Sequence, residues 1–328
     1  MTVLVVRTDK LGDFITALPV CSALKRHDPS YRIVVCVAPL NRELAQACDF
    51  IDEVVVDDGG PLLALASKLR QAKADVSLTL FSNTRVALAQ FFARIPRRIA
   101  PATKLAQVFY TDRVAQRRSR VEMAEYEYNL ALARILIPEL DTSVRQPLLR
   151  FSSEAVGETY RRFREKYGVS KPVVAFHPGF GGSSDANWTL DEYVELIREV
   201  AALRTVQAVV TFGPDEGGLR AEAAQKLKGV DAVLHTSGDG LVAFARLLAS
   251  FRLFVSTSTG TYHLAAAVGT PTMTFFADTL FASVKRWKAV SDEALQHPYM
   301  LPSDERKRRE MFARVKNDLR ATAAGISS

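Results

Sequence analysis

VSTSTGTYHLAAAVGTPTMTFFA, Val255 to Ala277, is the stretch whose reading decides the fold. It begins on the end of the apolar run Arg252–Val255 and crosses the small polar turn Ser256-Thr257-Ser258-Thr259-Gly260. It then enters a short helix, expected over Thr261–Val268, and leaves through Gly269-Thr270-Pro271 into a strand over Thr272–Phe276. Strand, small-residue turn and helix start make an anion site. The first N–H groups of a helix lack internal partners, and the aligned peptide dipoles add positive character there. Thr259 is placed to cap this helix, Gly260 admits a phosphate close to the backbone, and His263 sits one turn further on the same face. The plain alternative is an ordinary βα turn.

Outward from this stretch the same alternation recurs. Thr2–Arg7 reads as a buried parallel strand, followed by the loop Thr8–Asp13 and a helix ending near His27. Strands are expected at Arg32–Ala38, Glu53–Val56, Val76–Phe81 and Arg98–Ala100, with helices at Asn41–Cys48, Pro61–Ala72, Arg85–Phe92 and Glu122–Leu136. Pro147–Ser152 reads as a link. Beyond it the helix Glu154–Lys166 precedes strands at Val173–Phe176, Ala208–Phe212 and Ala232–His235. The helices Leu190–Leu203, Leu219–Leu227 and Leu241–Ala249 alternate with these strands, and Ser303–Ala323 forms a charged last helix. Thr189-Leu190-Asp191-Glu192 is a capping box, with Trp188 and Tyr193 as its hydrophobic staple. The pattern predicts an α/β protein of two Rossmann-like parallel-sheet domains with a cleft between them. The expected bounds are 1–150, 151–302, and a final segment 303–328 that packs back on the N-terminal domain.

The chain has 328 residues, 48% of them hydrophobic, and a mean hydropathy of +0.02, as expected of a packed protein. No run approaches the length of a membrane span, and Arg7 and Asp9 interrupt the apolar start where a signal peptide would continue. Cys21, Cys36 and Cys48 lack metal-site spacing and read as buried thiols in a reducing compartment. The formal net charge of +7 points to an acidic partner. Between Arg85 and Arg120 stand nine basic residues against one acid, Asp112, and Arg306–Arg309 forms a second basic run. No nucleic-acid motif accompanies them. Gly179-Phe180-Gly181-Gly182-Ser183-Ser184 is not a dinucleotide fingerprint, since its third glycine is missing and the helix begins only at Leu190. Walker A, zinc and nucleophile-elbow patterns are also absent.

In open parallel sheets ligands bind beyond the carboxyl ends of the strands. Four loops there carry chemistry: Thr8–Asp13, Gly179–Ser184, Gly213–Gly218 and Ser256–Gly260. Asp13 beside Gly12 is either a general base or a helix cap.

Taken in order, Arg7-x4-Gly12-Asp13-x5-Pro19, His177-Pro178-Gly179 and Ser256 to Pro271 resemble the ADP-heptose:lipopolysaccharide heptosyltransferases, glycosyltransferase family 9. The resemblance covers nearly the whole chain. It implies a GT-B fold with an N-terminal acceptor domain and a C-terminal nucleotide-sugar domain. It also implies an inverting, metal-independent transfer of a heptose from ADP-heptose to an anionic lipid-linked sugar, without a further cofactor. The enzyme would work in the cytoplasm, peripheral to the inner membrane. Asp13 is then the catalytic base, its carboxylate favoured by the helix start. The donor is expected against Ser258, Thr259, Gly260 and His263, with Gly179 and Ser183 nearby and Glu216 reaching the nucleoside. Acceptor contacts are expected from Lys10, Gly12, Arg97, Arg98, Arg117 and Arg118. Two positions depart from the family pattern, which has Lys where Ala186 stands and Asp where Ser258 stands. They leave open a GT-B enzyme for a different nucleotide sugar, or a weakly catalytic sugar- or nucleotide-binding protein.

Overall fold

Runs of β-branched residues buried on both faces can only be satisfied inside a covered sheet, and here they build two of them. The computed structural model describes residues 1–102, 105–179 and 187–326. The chain divides into two compact units, Met1–Arg145 and Gln146–Ser328.

In the first unit β1 (Thr2–Arg7), α1 (Leu11–His27), β2 (Arg32–Val37), α2 (Arg42–Gln46), β3 (Glu53–Val56) and α3 (Leu62–Gln71) come first. They are followed by β4 (Val76–Thr79), α4 (Thr84–Phe92), β5 (Arg97–Pro101), β6 (Asp112–Val114) and α5 (Glu125–Leu136). All six strands are parallel, in the order β3-β2-β1-β4-β5-β6. Val3 to Val6 and Ile33 to Val37 are almost fully buried and form the centre of the core.

The second unit repeats the plan. It contains α6 (Ser153–Tyr167), β7 (Val173–His177), α7 (Leu190–Ala201), β8 (Gln207–Phe212), α8 (Gly217–Lys226), β9 (Ala232–Thr236) and α9 (Leu241–Leu248). Then come β10 (Leu253–Thr257), α10 (Gly260–Ala267), β11 (Thr272–Ala277), α11 (Val284–Trp287), β12 (Gln296–Leu301) and α12 (Glu305–Ala324). Its strands are also all parallel, in the order β12-β11-β10-β7-β8-β9. Each sheet therefore starts at its centre, grows to one edge, and crosses back over its first strand. That crossing makes a switch point between β1 and β4 in one unit and between β7 and β10 in the other. Open α/β sheets bind ligands there.

The sequence reading misses the last strand of each sheet. β6 has three residues, too short for any periodicity, and β12 carries Gln296, His297 and Pro298 at an edge. It also misplaces the last helix. Expected on the N-terminal domain, α12 buries Val315, Leu319 and Ala323 in the core of the second unit, with Val194, Ile197 and Val200. Phe312 stands edge-on to Trp188, ring centroids 5.1 Å apart, and Arg308 covers the same indole at 4.6 Å while donating to Asn187 O at 2.6 Å. The charged residues that dominate the sequence of α12 hide an apolar stripe complementary to α7. Among the described residues no helix is long and apolar enough to cross a membrane.

Candidate functional site

Each switch point carries a cluster of polar side chains, and each cluster follows from where a strand ends. In the first unit β1 ends in Arg7, whose side chain is only 3% exposed. A buried guanidinium has to be paired, and this one is paired three times. Its Nε donates to Asp9 Oδ1 at 2.8 Å, its Nη1 to Glu125 Oε1 at 3.1 Å and its Nη2 to Asp13 Oδ1 at 2.5 Å. The Phe81 ring lies under the guanidinium, 5.6 Å from centroid to Cζ. Glu125, at the start of α5, is almost fully buried and is also held by Arg118. Arg118 further donates to Gln116 Oε1 and Asn129 Oδ1, and Asn129 Nδ2 donates to Thr16 O on α1. Between Arg118 and Glu125 the chain passes through Val121 at φ +46°. A left-handed β-branched residue costs about 1–3 kcal/mol.

Asp13 stands in the first turn of α1, but its side chain is not a cap. The N-cap is the exposed Lys10, and it makes no side-chain capping bond. The Asp13 Oδ2 atom has no hydrogen-bond partner among the described residues. Gly12 is buried beside it. Asp9, which shares the guanidinium, has its carboxyl pushed up to about 6. Burial raises it most, Arg7 opposes, and the charge of Asp13 adds to the rise. The three carboxylates in turn raise Arg7 further above its usual range, overcoming the burial that disfavours its charge.

Part of the basic run of this unit is engaged within the fold. Arg85 pairs with Asp57 at 2.9 Å and Arg97 with Asp112 at 3.0 Å. Arg98 is spent on the Phe109 and Ile95 carbonyls. Arg97 and Arg98 also begin β5, so they lie at the amino end of a parallel sheet whose carboxyl end carries Arg7 and Asp13. The structure does not bring them to Asp13. Arg118 it does bring, through Glu125, and Arg117 is exposed next to it. Lys104 lies outside the described residues.

In the second unit β7 ends in His177 and leads to Gly179. The ring Nδ1 is 3.1 Å from Thr211 Oγ1, and Nε2 is 3.9 Å from Glu216 Oε2. Burial lowers the pKa of His177 against the pull of Glu216, which favours a neutral ring. Glu216, at the start of α8, folds back to accept the Gly213 N–H at 2.7 Å. An ideal Cβ at Gly179 would overlap its carboxylate. Gly179, Gly213 and Glu216 therefore form one cluster.

Between β10 and α10 the turn is as expected, but the cap is not. Thr259 occupies the N-cap position without a side-chain capping bond, and its Oγ1 instead meets Thr261 Oγ1 at 2.9 Å. The reason is local: Thr261 offers a hydroxyl partner within the turn. The Thr259 side chain therefore does not cap α10. Ser258 donates its N–H to Phe275 O at 3.0 Å. His263 is 3% exposed, and its Nδ1 has no hydrogen-bond partner among the described residues. Burial pushes its pKa down to about 4. Trp287 on α11 stands edge-on to it, centroids 6.2 Å apart. Ser183 and Ala186 lie outside the described residues. Among the described residues no three His, Cys, Asp or Glu side chains group to hold a metal ion.

Sequence reasoning quotes Arg7 without a role and misses Glu125 altogether. The available signal is an arginine at the end of a strand that is otherwise wholly apolar, because such a charge requires buried acids. Asp9 and Asp13 are close in sequence, but Glu125, 118 residues further on, only the fold reveals.

A family model described as glycosyltransferase family 9 (heptosyltransferase) matches residues 62–313. A Haemophilus influenzae protein that bears a provisional glycosyltransferase name is 34% identical over 299 residues, covering 88% of this chain and 86% of that protein. Among solved structures, E. coli ADP-heptose lipopolysaccharide heptosyltransferase II superposes with a TM-score of 0.80 at 20% identity, over 98% of each chain. E. coli heptosyltransferase WaaC, solved with ADP, gives 0.73 at 17% identity, over 98% of this chain and all of that one. The likeness extends over both units and establishes the α/β GT-B-like fold.

Proposed function

The chain belongs to glycosyltransferase family 9, and we propose that it moves a heptose or related sugar from ADP-heptose to a lipopolysaccharide-core-type acceptor, by an inverting, metal-independent displacement. The observation that carries this reading is Asp13: one carboxylate oxygen is fixed by a buried arginine, and the other has no partner among the described residues. A single anchored carboxylate suits a direct displacement. The acceptor oxygen attacks the anomeric carbon, the bond to the diphosphate breaks on the opposite face, and Asp13 takes the hydroxyl proton. One displacement inverts the anomeric centre. The leaving diphosphate gains charge, and the start of α10, which the Thr259 side chain does not cap, is assigned to receive it. In this reading that helix start and nearby cations take the part that a metal plays elsewhere. Glu216 is assigned to the nucleoside and Gly179 to its close approach.

The first unit is assigned to the acceptor. Arg117 is exposed there beside Arg118, which reaches the Asp13 network through Glu125, and it suits an anionic lipid-linked sugar at the inner-membrane surface on the cytoplasmic side. Ser258, at the donor turn where the family pattern has an acid, favours a second reading, a different nucleotide sugar.

Calorimetry with ADP-, GDP-, UDP- and CMP-sugars tests the proposal, followed by transfer of the best-bound sugar to a lipid A-type acceptor. ADP-heptose is expected to bind tightest and to be transferred with inversion. Preference for another nucleotide overturns the donor assignment, and binding without transfer favours a binding protein.

A further inference from the structure

We infer that Arg7 is a positioning residue for Asp13, and that Asp9 and Glu125 share its charge so that Asp13 is held in place while remaining a usable base. The inference rests on the reading of Asp13 as the base. It starts from a difficulty in that reading. A carboxylate paired alone with a buried guanidinium is stabilised in its charged form and becomes a weak base. Anchoring and basicity therefore conflict.

The geometry resolves the conflict. Arg7 closes β1, opposite Val37 in the β1–β2 ladder, so its backbone cannot wander. Its planar fork has a donor on each edge, and each edge has its own acid, Asp9 at 2.8 Å, Glu125 at 3.1 Å and Asp13 at 2.5 Å. Glu125, behind the fork and buried, sets the plane of the guanidinium and is itself braced by Arg118 from the turn before α5. Phe81 covers one face of the fork. The charged groups gathered around the Arg7 guanidinium include Asp9, Asp13 and Glu125, with Arg118 on the far side of Glu125. The charge of Arg7 is thereby divided among three acids and does not fall on Asp13 alone. Asp9 supplies the adjustable part, since it is 21% exposed and titrates at about 6, whereas Glu125 is 3% exposed. On the α1 side, Thr16 Oγ1 donates to Asp13 O at 2.7 Å and fixes the backbone from which the carboxylate projects.

Two variants of the full chain test this. Arg7→Lys keeps the charge but has no fork, so it cannot hold three acids at fixed angles. Turnover, read as nucleoside diphosphate release from the best-bound donor sugar, is expected to fall about 10- to 100-fold, with ADP affinity and donor KM unchanged. Asp9→Asn removes the competing acid, so more of the Arg7 charge falls on Asp13. The acid limb of the kcat/KM profile is expected to move to lower pH. Wild-type turnover in Arg7→Lys, or an unmoved pH profile in Asp9→Asn, overturns the inference. Should Arg7→Lys fail to fold, the Asp9→Asn pH profile decides alone, because that side chain is partly exposed. Full activity in Asp13→Asn would instead remove the base reading itself, a result distinguishable from either of these.

Discussion

The Glu216 carboxylate occupies the space that a side chain on Gly179 would need, and it is kept there by the Gly213 amide 2.7 Å from Oε2. Gly179 is thus glycine for Glu216 as much as for any ligand. Gly179→Ala should displace the carboxylate and break a charge-assisted hydrogen bond. The nucleotide is expected to bind about tenfold more weakly, the loss that about 1.4 kcal/mol produces. In the double variant Gly179→Ala with Glu216→Ala the clash is gone, so the melting temperature should recover although affinity does not. If the double variant melts no higher than Gly179→Ala alone, Glu216 is not the obstruction.

Asp13→Asn keeps the shape of the side chain and one acceptor oxygen for Arg7, but cannot take a proton. General-base catalysis contributes typically about 10²–10⁴-fold, so kcat should drop by that order while donor binding persists. The helix-cap alternative is already weakened by the structure, since Lys10 holds the N-cap position. Measured beside ADP affinity and Tm, a near-wild-type kcat would end the base assignment.

These residues show how much of the molecule was legible beforehand. Central strands such as Thr2–Arg7 and Leu253–Thr257 declare themselves because a strand buried on both faces must be apolar along its length. Edge strands need not be, which is why β6 and β12 escape. Loops at strand ends were readable for the same reason: Asp13, Gly179, Glu216 and Thr259 stand where a parallel sheet presents them. What a loop residue touches was not readable. Arg97 and Asp13 are both near strands, yet only the direction of the strands places them at opposite ends of the sheet. The Arg7–Glu125 pair spans most of the first unit, and no local pattern encodes it.

The stability of the protein in acid should depend on His263. Its folded pKa is about 4 against an ordinary 6.5, because burial disfavours the charged ring. A lowered histidine contributes stability that is complete above about 6.5 and is lost as pH falls towards 4, at most about 3 kcal/mol. Asp9 acts in the opposite sense. Its carboxyl is raised from 3.8 to about 6, so its contribution is present below 3.8 and lost as pH rises through 6. The two partly cancel in a raw profile. Comparing denaturant unfolding of wild type and His263→Gln at about pH 7 and about pH 5 isolates the histidine. The wild type is expected to lose more stability than the variant over that interval, and parallel losses would refute the assignment.

The docking of α12 predicts a stability effect confined to the second unit. Leu319 is fully buried among Val194, Ile197 and their neighbours. Leu319→Ala should cost about 2–5 kcal/mol through lost burial and the cavity left behind. Hydrogen exchange should then quicken in β7, β8 and α7 and stay unchanged in β1 and β2. Faster exchange in β1 and β2 instead would restore the expectation that the last helix serves the N-terminal domain.

The last prediction separates two arginines that the sequence treats alike. Arg97 and Arg117 both belong to the basic run and were both expected to bind the acceptor. Arg97 is paired with Asp112, donates to Ile135 O at 3.1 Å, and sits at the amino end of β5. Arg117 is exposed and immediately precedes Arg118, which reaches the Asp13 network through Glu125. On the proposed function, an acceptor phosphate near Asp13 would meet Arg117 and not Arg97. Arg117→Glu should raise the acceptor KM severalfold and flatten its dependence on salt, since exposed charges are screened within about 8–10 Å at physiological ionic strength. Arg97→Glu should leave the acceptor KM unchanged and lower Tm, because it sets two acids against each other at Asp112. Steady-state kinetics at two salt concentrations, with thermal melts of both variants, make the comparison. Equal effects on the acceptor KM would mean that general charge, and not the position of Arg117 near the Asp13 network, governs acceptor binding.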